Sequence, residues 1–168
     1  AKVVLQPGIY ALGGGWKAVE SGLVVKSGAC FEAVGVMLYI TKAMPRTIDG
    51  TYYPGMWAQV QLNGGESVII HESYDPEDPD GDHYDGYEGT DYEYLAIFQD
   101  RRNTTESYVT GGAEVDLRGS LYFRHCNFRW GGSGLEAGTQ LVAGTVEVAG
   151  NSLVTVNYDG RYWRAGFK

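Results

Sequence analysis

The chain has 168 residues, of which 43% are hydrophobic and 20% charged, a composition typical of a single domain with one core. Its formal net charge is −8, and ten of its 21 acidic side chains lie between His71 and Tyr94 with no Lys or Arg among them. This charge distribution excludes the basic, aromatic-interleaved surface that phosphate backbones require, so we expect no nucleic-acid partner.

Glycines recur at regular short intervals in two regions of the chain. The first series is Gly8, Gly15, Gly22, Gly28 and Gly35, and the second is Gly112, Gly119, Gly131, Gly138, Gly144 and Gly150. The segments between them are rich in Val, Ile, Leu and Tyr, and glycine at such spacing disfavours a helix. We therefore expect short strands with glycine at the corners.

Alternation of apolar and polar residues supports the strands. It is clearest in four segments, which we expect to be half-buried strands: 23–26, 115–117, 145–148 and 153–156. Three short strands with glycine corners would make one coil of a solenoid, with about 20 residues per coil. The sequence thus predicts an all-β protein with a short right-handed parallel β-helix, and a β-sandwich or jelly roll is the alternative.

Two segments interrupt the regular spacing. We expect a single β-domain over residues 1–168, with inserts at about 42–58 and 73–94. The first insert contains Tyr52, Tyr53 and Trp57, and the second contains five tyrosines. Tyr-rich loops offer a large contact area at low entropic cost. We therefore predict a partner-binding surface formed by these residues: Tyr52, Tyr53, Trp57, Tyr74, Tyr84 and Tyr87.

Four strings of the chain resemble one family of envelope proteins. They are Leu5–Tyr10, Gly13–Gly15, Gly35–Thr41 and Ile97–Arg101. In this order they are similar to the extracytoplasmic parts of tight-adherence (Tad) pilus-assembly proteins of the TadE/TadG type. The resemblance covers about residues 4–41 and 95–160, and the long insert between these two regions departs from it. It implies a bacterial cell-surface or pilus-linked role and a parallel β-helix, with no catalytic residues to transfer.

The acidic insert has the composition of a calcium site. Five carboxylates interleaved with glycines are the predicted ligands: Asp78, Asp80, Asp82, Asp85 and Glu88. The first three match the beginning of an EF-hand loop, but His83 and Gly89 stand where that loop needs Gly and Glu. The alternative is a solvated acidic loop, extended by its like charges, with no cofactor.

The sequence contains no signature of a hydrolase. Neither a GxSxG elbow nor an HExxH motif is present, and we expect structural roles for His71, His83 and His125. We therefore predict a non-enzymatic structural or adhesive module. The alternative is a small carbohydrate-active enzyme, a polysaccharide lyase or glycosidase. Its acting residues would come from this set: Asp100, Arg101, Arg102, Asp116 and Arg118.

The remaining features concern location and assembly. Cys30 and Cys126 match no zinc or CxxC spacing, which leaves a disulfide or two buried thiols. No apolar run approaches the roughly 18 residues of a membrane span, so we expect a chain that does not cross the membrane. The family resemblance implies that it is extracellular or in the cell envelope. Aromatic residues near the carboxyl end would cap the last coil or form a subunit contact: Tyr158, Tyr162, Trp163 and Phe167. A surface glycan or a protein is the expected partner.

Overall fold

The computed structural model describes residues 1–15, 22–26, 28–48, 50–63, 67–72, 94–110, 114–132, 135–149 and 154–156. These residues form 14 strands. In chain order they are β1 (Lys2–Val4), β2 (Gly8–Gly13), β3 (Gly22–Val25), β4 (Cys30–Val34), β5 (Val36–Thr41), β6 (Arg46–Ile48), β7 (Thr51–Tyr53), β8 (Gln59–Asn63), β9 (Ser67–His71), β10 (Leu95–Gln99), β11 (Ser107–Thr110), β12 (Glu114–Gly131), β13 (Leu135–Ala149) and β14 (Val154–Val156).

The strands pair in three parallel ladders. Ladder A contains β1, β4, β9, the first part of β12, the first part of β13, and β14. Ladder B contains β2, β5, β10 and the middle of β12 and β13. Ladder C contains β3, β8, β11 and the last part of β12 and β13. The chain therefore passes through ladders A, B and C in the same order several times.

The all-β prediction is confirmed, and the described strands form a curled parallel sheet. Parallel pairing differs from the antiparallel pairing that a sandwich or jelly roll requires. Within the described ranges, antiparallel pairing occurs in the β6–β7 hairpin and at a single bridge between Lys42 and Trp57. In ladder A, Val115 pairs with Leu135 and Leu135 pairs with Val154, which are spacings of 20 and 19 residues.

Alternate residues of the three ladders form one apolar core. Its buried members from the long strand β12 are Val115, Leu117, Leu121, Phe123, Cys126, Phe128 and Trp130. Side chains from the neighbouring strands pack with them, including Val68 and Ile70 of β9 and Ile97 of β10. Because β12 belongs to all three ladders, its residues join the parts of the core that the other strands contribute separately.

Buried polar groups stabilise the segment that connects β10 of ladder B to β11 of ladder C. The amide group of Gln99 donates hydrogen bonds to the carbonyls of Asn103 (3.1 Å) and Thr105 (3.2 Å). Its Oε1 accepts the hydroxyl of Ser107 (3.0 Å), and the Ser107 oxygen accepts the backbone N–H of Val60 (3.1 Å). Gln99, Asn103 and Ser107 are all buried, so these bonds satisfy groups that would otherwise be costly to remove from water.

The two cysteines lie in different strands. Cys30 begins β4 in ladder A, and Cys126 lies buried in β12 between the parts that belong to ladders B and C. In the part of the chain that the structure describes, no disulfide joins them. Removal of the Cys126 thiol from water raises its pKa to about 11.

Burial should suppress the reactivity of Cys126. In a Cys30→Ser variant, we expect a thiol reagent at about pH 8 to label the folded chain about 100-fold more slowly than the unfolded chain. The reason is the smaller thiolate fraction at a pKa of about 11 compared with the ordinary 9.0. Absorbance of the released thiol product measures both rates, and equal rates in buffer and in denaturant would contradict the assignment.

One strand differs from its predicted burial. Residues 145–148 form part of β13 as expected, but the prediction that they are half-buried is wrong, since all four are exposed. Val146 and Val148 pair with the buried Phe128 and Trp130, yet are 51% and 59% exposed. The physical reason is that this part of β13 has a described partner strand on one side only.

Candidate functional site

The insert between β5 and β8 is closed at its base by backbone contacts. Lys42 and Trp57 face each other across an antiparallel bridge. On either side of it, the N–H of Ala43 donates to the carbonyl of Met56 (2.9 Å) and the N–H of Ala58 donates to that of Thr41 (2.9 Å). These bonds place the side chains of Lys42 and Trp57 next to each other at the end of ladder B.

Gly13 and Gly14, at the end of β2, pack closely against this base. A β-carbon on Gly14 would lie 2.6 Å from the backbone carbons of Met56 and Trp57. Gly13 likewise approaches Ala43, because a β-carbon added to Gly13 would lie 3.0 Å from the Ala43 α-carbon. Only glycine allows two backbones to come so close. The position of Trp57 is therefore determined by backbone packing rather than by the side chain alone.

The turn after β10 is held against the same insert. The N–H of Asp100 donates to the carbonyl of Ile40 (2.8 Å), and the N–H of Asn103 donates to the carbonyl of Asp100 (2.8 Å). The side-chain amide of the buried Asn103 donates to the carbonyl of Ala58 (2.7 Å). Residues 100–103 are thus fixed to β5 on one side and to the residue before β8 on the other.

Asp100 fixes the side chain of Arg102. Its Oδ1 accepts the backbone N–H of Arg102 (2.9 Å) and the guanidinium Nε (3.1 Å), and its Oδ2 accepts Nη2 (3.0 Å). Tyr39 donates its hydroxyl to the same Oδ2 (2.9 Å). The Asp100 side chain is 7% exposed, whereas that of Arg102 is 79% exposed. A buried carboxylate therefore orients an exposed guanidinium, with the two-point geometry that arginine favours.

These contacts shift the ionisation of the three groups. The hydrogen bonds from the Arg102 guanidinium lower the pKa of the Asp100 carboxyl to about 2, although burial acts in the opposite direction. Asp100 in turn raises the pKa of Arg102. Burial is the largest effect on Tyr39 and raises the pKa of its hydroxyl, which remains a hydrogen-bond donor at neutral pH.

The low pKa of Asp100 predicts a pH-dependent stability. The folded-state pKa lies below the ordinary 3.8, so the stabilisation is complete above about pH 4 and is lost as the pH falls through about 2. We expect wild type to exceed Asp100→Asn in unfolding free energy at about pH 6, and the difference to shrink steadily below pH 4. Urea unfolding at several pH values measures it. A difference that does not change with pH would contradict the assigned pKa.

Two cations lie close to the Trp57 ring. The Lys42 ammonium is 5.9 Å and the Arg102 guanidinium carbon 5.7 Å from the centre of a Trp57 ring, distances at which cations are attracted to an aromatic face. We call Tyr39, Lys42, Trp57, Asp100 and Arg102 the Trp57 cluster. It combines a half-buried indole with two positively charged groups, one of which is oriented by a buried carboxylate.

The β6–β7 hairpin forms the outer part of the insert. Tyr52 on this hairpin is 66% exposed, Tyr53 is half-buried, and Met44 just before the hairpin is 88% exposed. A cleft of about 330 Å³ lies between the hairpin and the glycines at residues 13–15. Its walls are Gly13, Gly14, Gly15, Ala43, Met44, Pro45, Arg46, Tyr53 and Gly55.

The predicted site residues fall into two groups. Tyr52, Tyr53 and Trp57 all belong to the first insert, and Tyr53 lines this cleft. The other predicted partner-binding residues, Tyr74, Tyr84 and Tyr87, lie outside the described residues. The same holds for the predicted calcium ligands, Asp78, Asp80, Asp82, Asp85 and Glu88. Among the residues that are described, no group of three or more His, Cys, Asp or Glu side chains could hold a metal ion.

The charged residues considered for an enzyme form two separate ion-paired groups. Asp100 and Arg102 lie in the turn after β10, as described above, while Arg101 lies 6.0 Å from the Tyr122 ring. On ladder A, Asp116 Oδ2 contacts His71 Nε2 (2.9 Å) and Arg118 Nη2 (3.3 Å). These groups lie on different ladders, so the structure does not combine them into one set.

His125 is exposed within β12, in agreement with its predicted place in a strand, and His83 lies outside the described residues.

Sequence reasoning missed two members of the Trp57 cluster. Lys42 and Tyr39 were not predicted as site residues, because their partners Trp57 and Asp100 are 15 and 61 residues away in the chain. A signal for Lys42 was present, since it and Trp57 stand at the two ends of the predicted insert. For Tyr39, only the parallel register of β5 and β10, in which Tyr39 pairs with Phe98, shows its nearness to Asp100.

The described ranges contain no apolar helix of the length that a bilayer crossing needs. Comparisons with family models, with curated proteins and with solved structures find no match to this chain.

Proposed function

We propose that this chain is a non-enzymatic module of a bacterial cell surface or pilus, with a structural or adhesive role. Its scaffold is a short right-handed parallel β-helix. Three parallel ladders visited in the same order, with spacings of 20 and 19 residues between successive strands of ladder A, support this fold. The right-handed sense follows from the strong preference of parallel crossover connections.

The contact surface is the insert between β5 and β8, together with Arg102. The observation that carries this proposal is Trp57 held on a closed backbone base with two cations close to its ring, in an insert that also exposes Tyr52. Trp, Tyr and Arg are the residues most enriched where partners bind tightly. A surface fixed before binding loses little entropy when a glycan or a protein docks on it.

Removal of the hairpin tests the adhesive role. We expect a variant in which a short Gly-Ser linker replaces residues 46–53 to keep the fold, because the base of the insert closes through Ala43, Met56 and Ala58. Beads coated with the chain should be retained on surfaces bearing mixed polysaccharides or protein, and beads coated with the variant should not.

A control variant separates this effect from general surface properties. Val146→Ser with Val148→Ser removes exposed apolar side chains from ladder C and should leave retention unchanged. Equal retention of the hairpin variant and the parent chain would refute the proposed contact surface. Circular dichroism of each variant confirms that it is folded.

A second candidate function is a small carbohydrate-active enzyme, and the contact between His71 and Asp116 favours it. A carboxylate at 2.9 Å from Nε2 orients the imidazole and leaves the other ring nitrogen to act as an acid or base, with Arg118 next to the same carboxylate. Incubation with acidic and neutral polysaccharides distinguishes the two functions. New reducing or unsaturated ends that disappear in Asp116→Asn would establish the enzyme and overturn the non-enzymatic role.

A further inference from the structure

The Trp57 cluster contains a cation with no carboxylate partner in the described part of the chain. Lys42 contacts the Trp57 ring, and no described acidic side chain forms an ion pair with its ammonium group. Its backbone is fixed by the bridge to Trp57, so the α-carbon that carries this flexible side chain has a defined position. A cation placed in this way can receive an anion from outside the chain.

Arg102 provides a second cation, whose orientation is fixed by Asp100. Asp100 occupies Nε and Nη2 of the guanidinium, and the side chain is still 79% exposed. The remaining N–H groups on the other terminal nitrogen are directed away from this carboxylate, because the guanidinium is planar. The Lys42, Arg102 and Asp100 charges sum to one positive charge beside the indole. This balance favours a ligand with a single negative charge at this point.

The indole determines what else the ligand must carry. Trp57 is half-buried and presents an aromatic surface with a negative quadrupole, on which the weakly positive C–H groups of a sugar ring can pack. A carboxylate on the same ring would reach the cations close to the indole. A nucleic acid would need a longer row of cations than this site provides. The net charge of −8 on the whole chain would also repel its phosphates.

We propose that the Trp57 cluster binds an acidic saccharide, with one uronate ring packed against the accessible part of Trp57 and its carboxylate held by Lys42 and Arg102. This inference rests on the proposed adhesive function, for which it names the class of partner. The site is non-covalent, and binding needs no metal ion.

Two oligosaccharides that differ only in the carboxylate test the proposal. Isothermal titration calorimetry should show binding of a β-1,4-linked tetramer of glucuronic acid, and at least about tenfold weaker binding of cellotetraose, in which C6 is a neutral hydroxymethyl group. Binding of the acidic tetramer should weaken as salt is added, because exposed cations are screened. Equal affinity for both tetramers would overturn the proposal.

Variants locate the site on the chain. Lys42→Gln and Trp57→Leu should each weaken binding of the acidic tetramer about tenfold or more. Arg129→Gln is the matched control, since it removes an exposed cation that pairs with Glu147 on ladder C, and it should leave the affinity unchanged. Equal loss in all three variants would indicate general charge attraction and overturn the assigned site.

The test of saccharide binding and the test of the adhesive function can fail independently. If the acidic tetramer does not bind, while removal of residues 46–53 still abolishes bead retention, the saccharide class is wrong and the contact surface stands. If retention is unaffected by the deletion, the proposed contact surface itself is wrong.

Discussion

Replacement of Phe128 by alanine should lower the free energy of unfolding by about 3–5 kcal/mol. Phe128 is 1% exposed, and its ring lies 4.8 Å from that of Phe123 and 5.6 Å from that of Trp130. The three rings belong to one long strand, β12, which joins ladders B and C. Truncation would leave a cavity that neighbouring side chains on paired strands cannot fill without moving the backbone.

Val146 provides the matched control for this prediction. It pairs with Phe128 in the register of β12 and β13, but it is 51% exposed. Val146→Ala should therefore lower stability by less than about 1 kcal/mol, since little apolar surface returns to water. Urea unfolding followed by circular dichroism measures both variants. Similar losses for the two would mean that the core does not lie where the ladders place it.

Replacement of Gly22 by alanine should destabilise the start of ladder C by several kcal/mol. Gly22 has a φ of +117°, which alone costs an L-residue about 1–3 kcal/mol. An added β-carbon would also meet the carbonyl oxygen of Gln59 and lie 2.6 Å from its nitrogen. These are backbone atoms of the paired strand, so relief requires β3 and β8 to separate.

A substitution at Gly28 separates the cost of the dihedral angle from the cost of the close backbone approach. Its φ of +74° also disfavours alanine, but a β-carbon there would meet nothing within 4 Å. Gly28→Ala should therefore show the cost of the dihedral angle alone, and Gly22→Ala a larger one. Thermal and urea unfolding of both variants measure the difference. A loss in Gly28→Ala as large as that in Gly22→Ala would remove the argument for close approach between β3 and β8.

The Trp57 cluster brings together residues that are distant in the chain. Its members come from the ends of β5 and β10 and from the base of an insert, and these segments meet because ladder B stacks them in register. The buried Gln99 and Asn103 fix the turn that carries Arg102. The scaffold therefore fixes the position of both segments that carry the cluster.

Local pattern was sufficient to predict several of the strands. Alternation in 23–26 and 115–117 correctly predicted β3 and part of β12, because side chains of a strand point alternately to its two faces. Glycine spacing correctly indicated several corners, including Gly22, Gly28 and Gly35, each of which has a positive φ. These properties depend on a few neighbouring residues, so the sequence by itself determined them.

The order of strands in the ladders and the composition of the site were decided only by the tertiary structure. Val146 lies in a segment with the same alternating pattern as a core strand, yet it is exposed. Its burial depends on whether a further strand pairs beside it. The approach of Tyr39 to Asp100 depends on the register between β5 and β10, across 61 residues of chain. Local periodicity contains no information about which strand lies next to which, and that neighbour relation is what builds the Trp57 cluster.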